Sequence, residues 1–281
     1  MSSKTVHKLA LNIVWPYSIC LGNIRTYNSI VHLETPLPDR IHPSLLRIFQ
    51  RSTPDGTIAF VDESYVAPEE DFLESFYILV GTAIKFEHLG STRSLLRETA
   101  QSSYWHTTES MRSCDGRKKV EEMLKLCDNF EDLQYIACLR PLQRNQDIEH
   151  ARQDCLEQLI TTLTKNEPSL KGIIFEARRS QSDNDKDRNT LNRMRKKKLL
   201  HPEINLAWVS PADETCLWIP DLVAFTYRRT FTHGGQSASL YEKYLEEHCE
   251  ILKVTPKQRS PKPSRGYATK CVSFCVAPCR G

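Results

Sequence analysis

Four short stretches set acids or a histidine against apolar residues in a way that hydrolysis of a phosphate ester would need. Phe60-Val61-Asp62-Glu63-Ser64 runs an apolar strand directly into two adjacent acids. Side chains alternate across a strand, so Asp62 and Glu63 point to opposite faces and one of them serves a given site. Ile173-Ile174-Phe175-Glu176 ends a second apolar run in a carboxylate, a residue poorly suited to strands. Trp218-Ile219-Pro220-Asp221-Leu222-Val223 sets one acid inside an otherwise apolar helix start. Tyr104-Trp105-His106-Thr107-Thr108-Glu109 adds a histidine, a side chain type whose titration near neutrality suits proton transfer, with Glu109 three residues on. Taken singly, each has a plainer reading: a solvated strand end, a first-turn charge favoured by the helix dipole, a packed structural histidine.

Taken together, Asp62, Glu176 and Asp221 are expected to converge at one end of a sheet. Like charges so placed repel unless a cation neutralises them. Hard carboxylate oxygens suit Mg²⁺ or Mn²⁺, which keep open positions for water and phosphate. Two such ions activate a water and stabilise the leaving oxygen in phosphodiester hydrolysis. The expectation is therefore a metal-binding core of Asp62, Glu176 and Asp221, with Glu63 or Glu109 as a fourth acid. His106 would assist proton transfer or product release.

The elements that position these residues alternate between strand and helix patterns. Thr57 to Val61 and Phe76 to Ile84 read as buried strands, Gly81 marking a bulge or turn in the second. Helical spacing follows over 87–101 and again at Val120, Met123, Leu124 and Cys127. Leu133 to Leu139 is a strand, Leu156 to Leu163 a helical stripe, Gly172 to Phe175 a strand. Asn189 to Leu200 reads as a basic helix, Ile204 to Val209 as a strand, and Leu217 to Phe231 and Leu240 to Leu252 as helices. Such alternation indicates an α/β domain with a mixed sheet, expected over residues 55–252. Residues 1–54, with five prolines, read as an irregular N-terminal extension, and 253–281 as a flexible basic tail.

Charge points the same way. The net charge of +3 conceals ten Lys/Arg against four Asp/Glu within 171–200, and seven Lys/Arg with no acid from 253 onward. Phosphate-backbone partners are bound through such concentrations, and a solvated helix face with a basic tail gives the same count. Arg178, Arg179, Arg193, Arg195, Lys196, Lys197 and Lys198 are the expected nucleic-acid contacts, positioning phosphates without reading sequence. Ser180 to Asp187 resembles the start of a calcium loop but lacks its glycine and closing acid, and reads as a polar loop.

The longest apolar run, Phe76 to Ile84, falls short of a spanning helix, and no secretory signal is legible. Ten cysteines in 281 residues are too few for a disulfide scaffold and fit a reduced cytoplasm. Cys271, Cys275 and Cys279 recur every four residues without the paired spacing of a zinc site. Phosphate-binding glycine loops, nucleophile-elbow serines and metalloprotease histidine pairs are missing from the sequence.

The set Phe60-Val61-Asp62-Glu63-Ser64, His106-Thr107-Thr108-Glu109, Phe175-Glu176 and Pro220-Asp221-Leu222-Val223-Ala224 resembles the family called domain of unknown function 3800 (DUF3800) over roughly residues 56–232. The resemblance implies a ribonuclease H-like mixed sheet flanked by helices. It makes Asp62 the first-strand acid, Glu176 the later strand-end acid and Asp221 the acid of the C-terminal helix, with His106 and Glu109 in the histidine motif. The chain departs from the family pattern at Tyr65, where glycine is common, at Glu176 for aspartate, and at Ile219-Pro220 for small residues. The implied activity is divalent-metal-dependent hydrolysis of nucleic-acid phosphodiesters. The alternative is an inactive module of the same fold that binds nucleic acid or a protein partner.

Overall fold

The computed structural model describes residues 41–68, 75–130, 132–144, 146–233 and 236–257. Its elements in chain order are α1 (Pro43–Phe49), β1 (Thr57–Val66), β2 (Phe76–Lys85), α2 (Leu89–Ala100), α3 (Thr107–Ser110), α4 (Cys114–Asn129) and β3 (Gln134–Leu139). There follow α5 (Ile148–Asn166), β4 (Leu170–Glu176), α6 (Gln181–Lys196), β5 (Asn205–Val209), α7 (Trp218–Thr232), α8 (Gln236–Tyr244) and β6 (Cys249–Lys253). The six strands form one mixed sheet in the order β5-β4-β1-β2-β3-β6. β1, β2 and β3 are an antiparallel meander, while β4 joins β1 in parallel, β5 joins β4 in parallel, and β6 joins β3 in parallel. The expected α/β class, a mixed sheet flanked by helices, is therefore present.

Alternation along the strands feeds two cores. Ile58 and Phe60 of β1, with Ile78 and Val80 of β2, pack against α2, α4, α7 and α8. Ala59, Val61, Tyr77 and Leu79 face the opposite way, onto α5 and the Leu191–Met194 end of α6. Because both faces of β2 are covered, nine of its ten residues are buried, which is why it reads as a continuous apolar run. Gly81 makes no bulge: its pairing with Val61 is regular. A Cβ there would lie 3.1 Å from Leu159 and 3.3 Å from Leu163, so the glycine admits α5 close to the sheet.

Two expectations are corrected. Ser180 to Asp187 is the cap and first two turns of α6, not a loop. The Ser180 hydroxyl accepts from the Asp183 amide at 3.1 Å, and Asp183, Asp185 and Asp187 occupy the end of the helix where its dipole favours negative charge. The helix expected over 240–252 ends at Tyr244, and its second half becomes β6, which covers the otherwise open edge of β3. The segment read as an extension includes α1, whose Leu45, Ile48 and Phe49 are buried in the α7-side core. Residues 1–40 and the Cys271, Cys275, Cys279 motif lie outside the described residues.

Gly172 of β4 is where α1 presses on the sheet: a Cβ there would meet Ile48 Cγ2 at 2.5 Å. Gly172→Ala is expected to lower stability by about 1–3 kcal/mol, seen as a lower urea midpoint at constant slope. Adding Ile48→Leu, which removes the branch at Cβ, should cost less than the two single changes summed. Strict additivity would show that α1 is not what the substituted strand meets.

Candidate active site

β1 and β4 are neighbours running the same way, and Val61 pairs with Phe175. The next residue on each, Asp62 and Glu176, therefore stands beside the other where the β1–β4 pairing ends: β4 stops at Glu176, while β1 runs on to Val66 along β2. Both follow residues of the α7 side in the alternation, Phe60 on β1 and Ile174 on β4. α7 packs across this face and presents Asp221 from its first turn. Asp62, Glu176 and Asp221 thus line one cleft of about 530 Å³, together with His106.

The electrostatics follow from burial and crowding. Asp62 is 9% exposed, and desolvation, then the Glu176 and Asp221 charges, push its carboxyl well above the usual range. A hydrogen bond joins it to Glu176, favouring the proton on Asp62. Desolvation also raises Glu176, against the opposing effects of that bond and of His106. Asp221 is raised by desolvation and partly restrained by the Thr107 amide, which donates to its Oδ2 at 2.9 Å, and by the nearby His106 and Arg228. Among the described residues, no group of three His, Cys, Asp or Glu side chains is already arranged as a ligand shell. The donor set nevertheless suits a hard divalent cation: three carboxylates whose charges burial and proximity disfavour, with a proton that metal binding would displace.

α3 is tied to α7 by aromatic packing as well as by Thr107. The buried Trp105 donates its indole N–H to Thr107 Oγ1 at 2.9 Å, and its ring lies 6.4 Å from that of Trp218. His106, between them, is exposed and lines the cleft. The approach to α7 is braced from the other side, where Arg93 of α2 makes two bonds to the buried Glu214, at 2.9 and 2.6 Å. Glu214 in turn accepts from the Cys216 amide at 3.1 Å.

Glu63 does not join the three acids. It faces α5, where Arg152 and the Tyr77 hydroxyl both bond to it. Arg152 is 3% exposed and also holds Asp187 of α6 through two bonds at 2.7 and 2.6 Å, and the Tyr77 oxygen at 2.8 Å. The group clamps β1 to α5 and α6. Glu109 is exposed on α3 and does not line the cleft.

The expected phosphate contacts divide into two groups. Arg178 and Arg179 line the cleft, Arg178 held by Glu149 at 3.0 Å. Arg193, Arg195 and Lys196 lie in the last turn of α6, Lys197 caps it, and Lys198 follows in a left-handed conformation at φ 59°. Arg193, the first of this cluster, lies twelve residues after Gln181 at the start of α6, about 18 Å at 1.5 Å per residue. Arg193, Arg195 and Lys196 line a second surface depression beside Asn189 and Asn192, and none of the five lines the acid cleft.

Among the cleft residues whose part escaped the sequence reading are Arg152, Arg228, Tyr65 and Tyr104. Arg228 stands seven residues after Asp221, two turns along the same face of α7, and that spacing was the available signal. Its guanidinium donates to Ser64 Oγ at 3.2 Å and Thr108 Oγ1 at 3.4 Å.

No family model and no curated relative matches the chain. Among solved structures, a crystal structure of a mutant of Bst-RNase HIII is similar at 10% identity and a TM-score of 0.39, covering 74% of this chain and 68% of that one. An overlap this low carries no reading of function.

A carboxyl raised by folding stabilises the fold fully below its unfolded pKa, and that contribution is lost as pH rises through the folded value. For Asp62 the loss falls above the usual carboxylate range. In EDTA, Asp62→Asn is therefore expected to melt at or above the wild-type temperature at pH 7.5, with the gain shrinking toward pH 4. A variant less stable than wild type at both pH values would contradict the repulsion described.

Proposed function

We propose that the chain is a divalent-metal-dependent nuclease of ribonuclease H-like architecture, with residues 55–252 as its catalytic domain and α1 packed against it. The observation that carries this reading is the convergence of Asp62, Glu176 and Asp221 from two adjacent parallel strands and a facing helix. Crowding Glu176 and Asp221 against the buried Asp62 raises its carboxyl and weakens the fold unless a cation joins them, so the arrangement fits a metal site better than a structural one. The motifs quoted above support assignment to the DUF3800 family. No helix among the described residues is long and apolar enough to cross a membrane, and a cytoplasmic location accords with the scattered thiols.

Asp62, Glu176 and Asp221 would hold Mg²⁺ or Mn²⁺, which supplies Lewis acidity and a bound water of lowered pKa. The Thr107 amide fixes the rotamer of Asp221, and the Glu63–Arg152–Asp187 group fixes the stretch of β1 that carries Asp62. His106, at the exposed rim, carries protons between the cleft and solvent. Arg178, Arg179 and Arg228 receive the phosphate backbone of a nucleic acid. The Arg193–Lys198 cluster adds a salt-sensitive contact farther along the strand.

Labelled single-stranded and duplex DNA, RNA and hybrid, incubated with Mg²⁺, Mn²⁺ or EDTA, test the reading. Metal-dependent cleavage is expected, falling by at least about a hundredfold in Asp62→Asn and in Asp221→Asn. Folded protein that cleaves none of these with either metal overturns it and leaves a binding module of the same architecture.

A further inference from the structure

Two tyrosines at the mouth of the cleft contribute little to the core. Tyr65 and Tyr104 are each 50% exposed and both line the cleft, Tyr104 toward the three acids and Tyr65 on the α5 side of β1 with Glu63 and Tyr77. Each is nonetheless held by its surroundings. Tyr65 stacks on Tyr77 at 5.4 Å between ring centres and 5° between planes, and Tyr77 is itself fixed by Glu63 and Arg152. Tyr104 precedes the buried Trp105, and its amide donates to Ser102 Oγ at 3.1 Å. It lies near enough to Asp221 and Glu176 to feel their charges.

Arg228 connects the two segments. Its hydroxyl partners are Ser64, the residue before Tyr65, and Thr108, four residues after Tyr104. Both partners are neutral hydroxyls, and the acid whose charge reaches it is Asp221. The cleft mouth thus offers aromatic rings on two walls, a guanidinium between the segments that carry them, and acids below.

This inference rests on the nuclease reading and narrows its substrate. We propose that the cleft takes an unpaired nucleic-acid strand, stacking bases on Tyr65 and Tyr104 and holding the phosphate between them at Arg228. A base within a duplex has both faces occupied by its neighbours, so an aromatic ring finds a free face only on a splayed or single strand. The recessed acids demand the same substrate, because Asp62 is 9% exposed on the floor. A phosphate must descend between the rings to reach it, which a flexible backbone permits and a stacked double helix resists. Stacking is indifferent to base identity, so little sequence preference is expected.

The test is fluorescence anisotropy of labelled oligothymidylate, oligouridylate and a duplex of equal length, with the full chain in EDTA, followed by cleavage assays in Mg²⁺ or Mn²⁺. Unpaired strands should bind more tightly than the duplex. Tyr104→Ala and Tyr65→Ala should each weaken binding of unpaired strands by roughly ten- to a hundredfold. Tyr104→Phe and Tyr65→Phe should retain binding, which separates a lost ring from a damaged fold. Arg228→Gln should lower the slope of log affinity against log salt by about 0.7, whereas the tyrosine variants should leave that slope unchanged. Metal-dependent cleavage that prefers duplex and is unaffected by both alanine variants overturns this inference and leaves the nuclease reading standing. Tyrosine-dependent binding of unpaired strands without cleavage in either metal supports the inference and removes the nuclease reading. Absence of both binding and cleavage overturns both.

Discussion

The repulsion among Asp62, Glu176 and Asp221 is the constraint around which the domain is arranged. Two carboxylates on adjacent parallel strands and a third on a facing helix do not assemble spontaneously, because desolvation opposes ionisation of each and the Glu176 and Asp221 charges oppose it further at Asp62. The surrounding structure must force their approach. It does so by covering β1 on both faces, by pairing it on both edges, and by seating the first turn of α7 directly across the sheet. The Thr107 amide and the neighbouring His106 and Arg228 return part of the lost solvation to Asp221.

The braces around this site are themselves ionic. Arg152 with Asp187 and Glu63 lies under the sheet, and Arg93 with Glu214 lies before α7. Buried ion pairs are a poor source of net stability, since desolvation offsets most of their attraction. Their geometry is another matter, because a two-pronged guanidinium–carboxylate pair fixes distance and orientation at once. Both pairs join elements that must keep register with the acids: β1 with α5 and α6 in one case, α2 with the approach to α7 in the other. The polar interior of this protein is spent on alignment.

Much of this was legible in the residues. Alternation at Asp62 and Glu63 required that the two acids diverge, and they do. The apolar run ending in Glu176 marked a strand end, whereas β1 continues past Asp62 to Val66 along β2, and Asp221 stood out in an apolar helix start. What escaped was whatever depends on a distant partner. Nothing near Glu63 announces Arg152, almost ninety residues on. The acids of Ser180 to Asp187 obscured a helix start that their own charges favour. The period over 240–252 gave way to pairing with β3, an edge demand that no local pattern encodes. The basic residues from Arg178 to Lys198 are contiguous in charge but divided by the length of a rigid helix, which a charge count does not measure.

The pairing of β1 with β4 has a temporal consequence. Phe60 and Ile174 are partners across more than a hundred intervening residues, and the third acid follows later still on α7. During synthesis from the N-terminus, the meander of β1, β2 and β3 emerges long before β4 exists to stand beside it. A growing chain therefore carries Asp62 without its companions, and the complete acid set arises only once Asp221 has left the ribosome.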